Sequence, residues 1–283
     1  MEYKIVVDSC CELPEELKNN PRFERVALGL EVDGEVIMDD DSFDQASFLS
    51  KVAGSPKCPK SFCPSPQQYM DAFDCDADTI FVFTLSSKLS GSFNSAQVAR
   101  HLFNEQCADE NLPKKRIFVC DSKSASGGET QLVYKALELI EQGLSFSDIC
   151  VRLMYFRNTM RTYFVLDTLD TFVKNGRISA AVAAVTSTLK IKPVMASLDG
   201  DIIKVGQGIG LHKAYDKMIE CMTHEVDVNA KKTIIISHCN TLRRALEIKS
   251  ELEKIFINSR IIIMDTMGVS SMYANDGGVI VTI

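Results

Sequence analysis

The sequence lacks any apolar run of 18 residues, the length at which a stretch becomes a candidate membrane-spanning helix. We also expect no secretory leader, because the residues after Met1 enter a strand pattern at once. Basic residues are not in excess: 31 Lys and Arg against 38 Asp and Glu give a net charge of −7, which argues against a nucleic-acid or anionic-membrane surface. We therefore expect a cytoplasmic protein with no nucleic-acid partner, no stable membrane insertion and reduced thiols on its ten cysteines.

The motifs of nucleotide binding and of serine hydrolases are also missing. The chain contains neither a Gly-x-x-x-x-Gly-Lys-Ser/Thr phosphate loop nor a Gly-x-Ser-x-Gly nucleophile elbow. Gly206, Gly208 and Gly210 do not have the spacing of a dinucleotide fingerprint. The four histidines are scattered, and the cysteine spacings do not match a zinc site. We expect no metal, no cofactor and no catalytic constellation.

Strand and helix signals alternate along the chain, which predicts an α/β protein. A length of 283 residues exceeds the usual size of one domain, and 46% hydrophobic residues allow a sizeable core. The composition changes near Tyr155. We predict an N-terminal α/β domain over residues 1–155 and a C-terminal α/β domain over residues 156–283.

The central stretch of the chain is a strand followed by a serine-rich loop and a helix. Residues 79–84 are apolar and β-branched or aromatic, and helical spacing begins near Phe93. Between them lie four serines and Gly91. Hydroxyl and backbone N–H groups at a helix N-terminus favour a bound anion. The same serines also suit helix capping, so this loop alone leaves both interpretations open.

Two other predicted strands end in similar polar loops, at Asp8 and Ser9 and at residues 121–126. Converging strand ends of this kind favour a ligand site. Residues 53–66 contain four prolines and form either a connector or a stiff binding loop. An almost uncharged helix is expected over residues 178–189, either as core or as the wall of an apolar cavity.

Glycine-containing turns and charged segments complete the local predictions. Asp33 and Gly34 predict a hairpin between residues 23–30 and 35–38, and Asp199 and Gly200 predict one between 191–195 and 202–205. Residues 39–42 are expected to form a solvated turn with a helix cap. Residues 268–278 are expected to form a loop before the last strand.

Several short motifs, taken in order and spacing, make the chain resemble the DegV family of bacterial fatty-acid-binding proteins over nearly its whole length. The matching pieces are residues 7–9 with 13–14, 60–65, 86–92, 121–126, 167–169, 176–178, 192–194 and 199–200. The resemblance implies a two-domain DegV-like fold, with an N-terminal three-layer α/β/α domain around a parallel sheet and a C-terminal two-layer α/β domain with a mixed sheet. It also implies a long-chain fatty acid in an apolar tunnel, with its carboxylate at the domain boundary, and a fatty acid kinase as partner.

The family's functional positions fall on specific residues of this sequence. The resemblance places the fatty-acid carboxylate at Ser61, Ser90, Gly91 and Arg177. For Arg177 the alternative is that it is a surface charge at the C-terminus of a helix. Additional contacts are expected at four positions: Cys63, Ser92, Ala274 and Asn275.

The sequence also departs from the family pattern. Ala274 stands where the family usually has a His near the head group, and Cys63 stands where it has a Gln. The residues that follow the second hairpin are glycines and Gln207 instead of the family's basic residues. A kinase-like subunit for a small molecule and a lipid-free regulatory protein remain alternatives to a fatty-acid carrier.

Overall fold

The computed structural model describes residues 2–179, 182 and 190–283. The strands are β1 (Tyr3–Asp8), β2 (Phe23–Val26), β3 (Gly29–Val32), β4 (Glu35–Met38), β5 (Lys60–Phe62), β6 (Thr79–Thr84), β7 (Arg116–Asp121), β8 (Thr162–Val165), β9 (Ile191–Leu198), β10 (Asp201–Ile209), β11 (Thr233–His238), β12 (Arg260–Asp265) and β13 (Val279–Thr282). The helices are α1 (Glu15–Lys18), α2 (Gln45–Gly54), α3 (Pro66–Phe73), α4 (Ser92–Asp109), α5 (Gly127–Glu141), α6 (Phe146–Thr159), α7 (Asp170–Lys174), α8 (Gly210–Glu225), α9 (Leu242–Ile255) and α10 (Gly268–Ala274).

The first half of the chain is built on a four-stranded parallel sheet with the order β2-β1-β6-β7. Strand β6 is buried at every position, because helices cover both faces of the sheet. Side chains of α5 and α6 pack on one face, and those of α3 and α4 pack on the other. The predicted three-layer α/β/α arrangement with a parallel sheet is confirmed.

The second half is built on a six-stranded mixed sheet with the order β10-β9-β8-β13-β11-β12. Helices α8 and α9 bury their apolar stripes against one face of this sheet, through residues such as Met218 and Leu252. The hairpin around Asp199 and Gly200 joins β9 to β10, as predicted. The predicted two-layer arrangement with a mixed sheet is confirmed, while the exact boundary at residue 155 stays a prediction.

The hairpin around Asp33 and Gly34 is confirmed, but its first strand is shorter than predicted. Strands β3 and β4 pair across this turn, and β5 joins β3 to give a three-stranded sheet. The expectation of one strand over residues 23–30 is wrong, because β2 belongs to the parallel sheet and β3 to the small one. The chain divides at Leu28, whose N–H donates to Ser9 Oγ and whose carbonyl accepts from Asp39.

The expected loop over residues 268–278 is also wrong, because α10 occupies its first seven residues. Its free N-terminal N–H groups need an acceptor, and no side chain near in sequence supplies one. Asp39 supplies it: its carboxylate accepts from Gly268 N at 2.6 Å and from Val269 N at 2.9 Å. The expectation that Asp39 lies in a solvated turn is therefore corrected too, since this residue is fully buried.

Helix α5 packs against both sheets, because its first residue has no side chain. A Cβ atom built on Gly127 would lie 2.7 Å from Cγ2 of Ile235 in β11. We expect Gly127→Ala to lower the free energy of unfolding by about 1–3 kcal/mol, since the added methyl group overpacks this contact. Denaturant unfolding of the purified variant measures the change.

Gly54 provides the matched control for this substitution. It ends helix α2, and a Cβ atom built there meets nothing within 4 Å. Gly54→Ala should leave the free energy of unfolding unchanged or raise it by up to about 1 kcal/mol. Equal effects of the two substitutions would contradict the close approach of α5 to β11.

Candidate functional site

A cavity lies between the carboxyl ends of the parallel strands and one face of the mixed sheet. Its unfilled space, including the open mouth, is about 780 Å³. The described residues that line it are Cys10, Leu28, Ser61, Leu85, Leu89, Ser90, Ser124, Ala125, Ser126, Thr162, Phe164, Leu166, Phe172, Arg177, Ser197, Ile202, Val269, Ser270, Tyr273, Ala274 and Ile280. The topology explains this position, because loops after the strands of a parallel sheet meet at one edge.

The lining is mainly apolar and carries a single charge. Arg177 is the one charged side chain among the described residues that face the cavity. Aliphatic and aromatic side chains from β8, β13 and α7 form the wall, including Phe164, Ile280 and Phe172. Such a lining fits a ligand with a long apolar part and one anionic group.

Arg177 is positioned by the end of helix α7. Gly176 has φ +71°, the left-handed conformation that ends a helix and that glycine adopts without strain. The Arg177 Nε donates to the Leu89 carbonyl at 3.1 Å, and Nη1 donates to the Asn175 carbonyl at 2.6 Å. These two bonds hold the guanidinium beside the loop that carries Ser90.

Ser61 contacts a tyrosine that sequence analysis missed. The Ser61 Oγ lies 3.2 Å from the Tyr273 hydroxyl, which projects from α10, and the Tyr273 ring packs on Phe172 at a centroid distance of 4.7 Å. Burial raises the pKa of Tyr273, while Ser61 and the field of Arg177 oppose the rise. Tyr273 therefore remains a neutral hydroxyl donor at physiological pH. The signal for it was the helical spacing of Val269, Met272 and Tyr273 within the supposed loop.

Ser90 lies in the loop between β6 and α4. Its Oγ accepts from the Ser92 N–H at 3.2 Å, and its N–H donates to the Ser86 carbonyl at 3.1 Å. The Ser90 hydroxyl proton finds no acceptor among the described residues and is available to a ligand. Gly91 precedes α4 as its N-cap, where a Cβ atom would come within 2.9 Å of the Cys63 Sγ.

The structure brings together four of the eight predicted site residues on the cavity wall: Ser61, Ser90, Arg177 and Ala274. Gly91, Cys63, Ser92 and Asn275 are outside the described lining. The expected apolar wall over residues 178–189 lies almost entirely outside the described residues.

Two of the residues outside the lining have their polar groups engaged elsewhere. The Ser92 hydroxyl donates to Asp8 Oδ2 at 2.5 Å and contacts the Tyr69 hydroxyl at 2.6 Å. The Asn275 Oδ1 accepts from Thr171 Oγ1 at 3.1 Å. Ser61, Ser90 and Arg177 are therefore the predicted site residues with polar side chains on the cavity wall.

A second group of hydroxyls faces the cavity from the loop after β7 and from the mixed sheet. The Ser124 and Thr162 hydroxyls lie 2.7 Å apart, and the Ser197 hydroxyl donates to the Lys123 carbonyl. The Ser126 hydroxyl donates to Glu12 at 2.6 Å. These hydroxyls have partners within the protein, so they form a satisfied polar wall rather than free donors.

The described part of the chain shows no arrangement of three His, Cys, Asp or Glu side chains that could hold a metal ion. Within the same residues, none of the helices has both the length and the apolar character needed to cross a membrane. The chemistry available at the cavity is thus that of hydroxyl donors and one guanidinium, which bind and orient an anion.

Comparison with known proteins places the chain in a family. The family model described as "Uncharacterised protein, DegV family" matches residues 2–282. A DegV domain-containing protein of Streptococcus pyogenes serotype M1 is 34% identical over 283 residues, covering 99% of this chain and 98% of its own.

Solved structures agree with that match. A DegV family protein of Ruminococcus gnavus, refined with vaccenic acid, has a TM-score of 0.92 and 40% identity, covering 99% of each chain. The Streptococcus pneumoniae fatty acid kinase B3 protein, loaded with linoleic acid, has a TM-score of 0.91 and 30% identity, covering 100% of this chain and 99% of its own. The chain therefore belongs to the DegV family.

Proposed function

We propose that this protein binds one long-chain fatty acid, with the acyl chain in the cavity and the carboxylate at Ser61, Ser90 and Arg177. The observation that carries the proposal is the single guanidinium in an otherwise uncharged, mainly apolar cavity. A buried carboxylate requires donors and a cation to offset the loss of water. Arg177 supplies the cation, and the two serines supply hydroxyl donors.

The acyl chain contributes most of the binding free energy under this proposal. Each buried methylene contributes about 0.8 kcal/mol, so a chain of about sixteen carbons outweighs the head-group contacts. The head-group contacts mainly fix the orientation of the acid. The fatty acids in the structures of the R. gnavus and S. pneumoniae proteins support the assignment.

The partner and the location are finer parts of the same proposal. The S. pneumoniae relative is named as a fatty acid kinase protein, which supports presentation of the carboxylate to a fatty acid kinase. Ten free cysteines support a reducing, cytoplasmic location. The binding protein itself needs no catalytic group for this role.

Extraction of the purified protein with organic solvent, followed by mass spectrometry, tests the proposal. We expect near-stoichiometric long-chain fatty acid in the extract. An empty extract, together with no binding when fatty acid is titrated into the protein, would overturn it. Incubation with a fatty acid kinase and ATP tests the partner separately, with acyl phosphate as the expected product. Nucleotide hydrolysis by this chain alone would favour a kinase-like subunit instead.

A further inference from the structure

Glu129 is a fully buried acid with no hydrogen-bond donor. It lies in the first turn of α5, and its side chain has no exposed surface. Neither of its carboxyl oxygens accepts a hydrogen bond from an N–H, O–H or S–H group of the described residues. A buried carboxylate without donors is among the most costly groups in a protein interior, so its protonation state requires an explanation.

Two other acids are buried beside Glu129. Asp8, at the end of β1, accepts from Leu85 N at 2.9 Å, Cys10 N at 3.1 Å and Ser92 Oγ at 2.5 Å. Glu12 is the third acid of this buried group.

Glu12 has its own set of donors. Its carboxylate accepts from the Ser126 hydroxyl at 2.6 Å, and more weakly from the Ser237 hydroxyl and the Met267 N–H. Asp8 and Glu12 are thus supplied with the donors that an ionised carboxylate needs. Glu129 has none of these.

The surroundings of Glu129 contain no compensating positive charge. In the part of the chain that the structure describes, no Lys, Arg or His nitrogen lies within 4.0 Å of any of the three carboxyl groups. The titratable groups that interact electrostatically with Glu129 are Asp8, Glu12, Cys10, Cys11 and Tyr69. All of them are neutral or negative.

Three negative charges cannot be sustained together in such a site. The Glu129 and Asp8 side chains are neighbours, and their interaction raises the pKa of Glu129 and lowers that of Asp8. Two carboxylates cannot share a hydrogen bond, so one of the pair must carry a proton. Asp8 already accepts from three donors, which favour its ionised form, and therefore the proton belongs on Glu129.

We propose that Glu129 is a neutral carboxylic acid that donates its proton to Asp8 and thereby positions the loop that binds the ligand. Asp8 holds both ends of this loop, through Leu85 N and Ser92 Oγ, and Ser90 lies between them. Glu129 is not among the residues that line the cavity, so it acts through Asp8 as a positioning residue. The proton assignment stands by itself, while the effect on binding rests on the proposed function.

The proton on Glu129 predicts how stability depends on pH. Burial, and after it the negative charge of Asp8, raises the pKa of Glu129 well above its usual value. Burial also raises the pKa of Asp8 to about 6 and that of Glu12 to about 7.

An acid with a raised pKa contributes stability that is complete below its unfolded pKa. That stability is lost as the pH rises toward the folded pKa, because the unfolded chain releases a proton that the folded chain keeps. Each retained proton lowers the folding equilibrium constant about tenfold per pH unit. The protein should therefore be less stable at alkaline than at mildly acidic pH.

Two substitutions of Glu129 distinguish the effect of its proton from the effect of its side-chain volume. Glu129→Gln keeps a donor toward Asp8 but cannot ionise, whereas Glu129→Leu fills similar space without a donor. The control is Glu141→Gln, at the exposed end of the same helix. Denaturant unfolding between about pH 5 and about pH 9 measures the folding equilibrium constant of each.

We expect the pH dependence of Glu129→Gln to be weaker than that of the wild type by about one proton, or about tenfold per pH unit. This variant should be at least as stable as the wild type at the alkaline end. Glu141→Gln should retain the wild-type pH dependence. A Glu129→Gln variant with an unchanged pH dependence would overturn the proton assignment.

Infrared spectroscopy of the wild-type protein tests the assignment without relying on a folded variant. A carbonyl stretch of a neutral carboxylic acid should persist at about pH 8, where ordinary carboxyl groups are ionised. Its absence would overturn the assignment. Where Glu129→Gln folds, the band should be lost from its spectrum.

The effect on the loop is measured by fatty acid affinity at about pH 7. Glu129→Gln should bind palmitate with an affinity within about twofold of the wild type. Glu129→Leu should bind it about tenfold more weakly, because Asp8 loses the hydrogen bond that residue 129 donates to its carboxylate. Equal affinities in all variants would overturn the positioning role. If the wild type binds no fatty acid, the proposed function fails, while the unfolding and infrared measurements still decide the proton assignment.

Discussion

Replacement of Arg177 by alanine is expected to weaken the binding of a long-chain fatty acid by about 10- to 100-fold. Hydrogen bonds to charged groups contribute about 1.5–3 kcal/mol, which corresponds to this range in the dissociation constant. The substitution removes the one charge among the described cavity-lining residues, together with the bond to the Leu89 carbonyl that fixes the loop carrying Ser90. Isothermal titration with palmitate measures the loss.

Two controls separate the head-group effect from general damage. Lys174→Ala removes the same charge at the end of α7, on an exposed side chain outside the described lining, and should leave the affinity unchanged. The matching fatty alcohol has no carboxylate, so Arg177→Ala should weaken its binding much less than that of the acid. Equal losses for acid and alcohol would show that Arg177 does not face the head group.

Fatty acid affinity should rise steeply with chain length until the cavity is full. Each added methylene contributes about 0.8 kcal/mol, or about fourfold in affinity. Between decanoic and tetradecanoic acid the dissociation constant should therefore fall by about 200-fold. Beyond the length that the cavity holds, further methylenes should add little. Competition against a fluorescent fatty acid gives the whole series.

A substitution in the cavity wall should move this plateau to shorter chains. Ile280, on β13, lines the cavity, and Ile280→Phe fills part of the space that the acyl chain needs. Ile257 is 73% exposed, so Ile257→Phe is the matched control and should leave the series unchanged. A flat series in the wild type would contradict burial of the acyl chain in this cavity.

Local sequence signals predicted most of the elements correctly. Apolar runs such as residues 79–84 give buried strands because both faces of the parallel sheet are covered. The Asp-Gly pairs at residues 33–34 and 199–200 give hairpins because both residues adopt positive φ. These signals need only neighbouring residues, so they are visible in the sequence.

The errors come from contacts between distant parts of the chain. Helix α10 has no local cap and begins where the carboxylate of Asp39, 229 residues away from Gly268, meets its first N–H groups. The division between β2 and β3 likewise depends on the hydroxyl of Ser9. The hydrophobic periodicity within residues 23–32 or 268–278 contains no information about Ser9 or Asp39, so these two contacts could not be predicted from it.

In the candidate site, too, features set by neighbouring residues could be predicted and features set by distant contacts could not. The polar loops after the parallel strands could be selected from the sequence, because their strand ends must converge. The direction of each hydroxyl could not: Ser90 has a proton available to a ligand, whereas Ser92 turns toward Asp8. Tyr273 was missed because the short helical spacing of Val269, Met272 and Tyr273 has no local cap, and the helix begins only where Asp39 supplies one.

The position of strand β13 bears on when a ligand can first enter. Residues 279–282 are inserted between β8 and β11, in the interior of the mixed sheet, and Ile280 forms part of the cavity wall. A nascent chain on the ribosome therefore has a gap in that sheet until these residues emerge from the exit tunnel. Under the proposed function, the cavity can enclose an acyl chain only after β13 has been synthesised and inserted into the sheet.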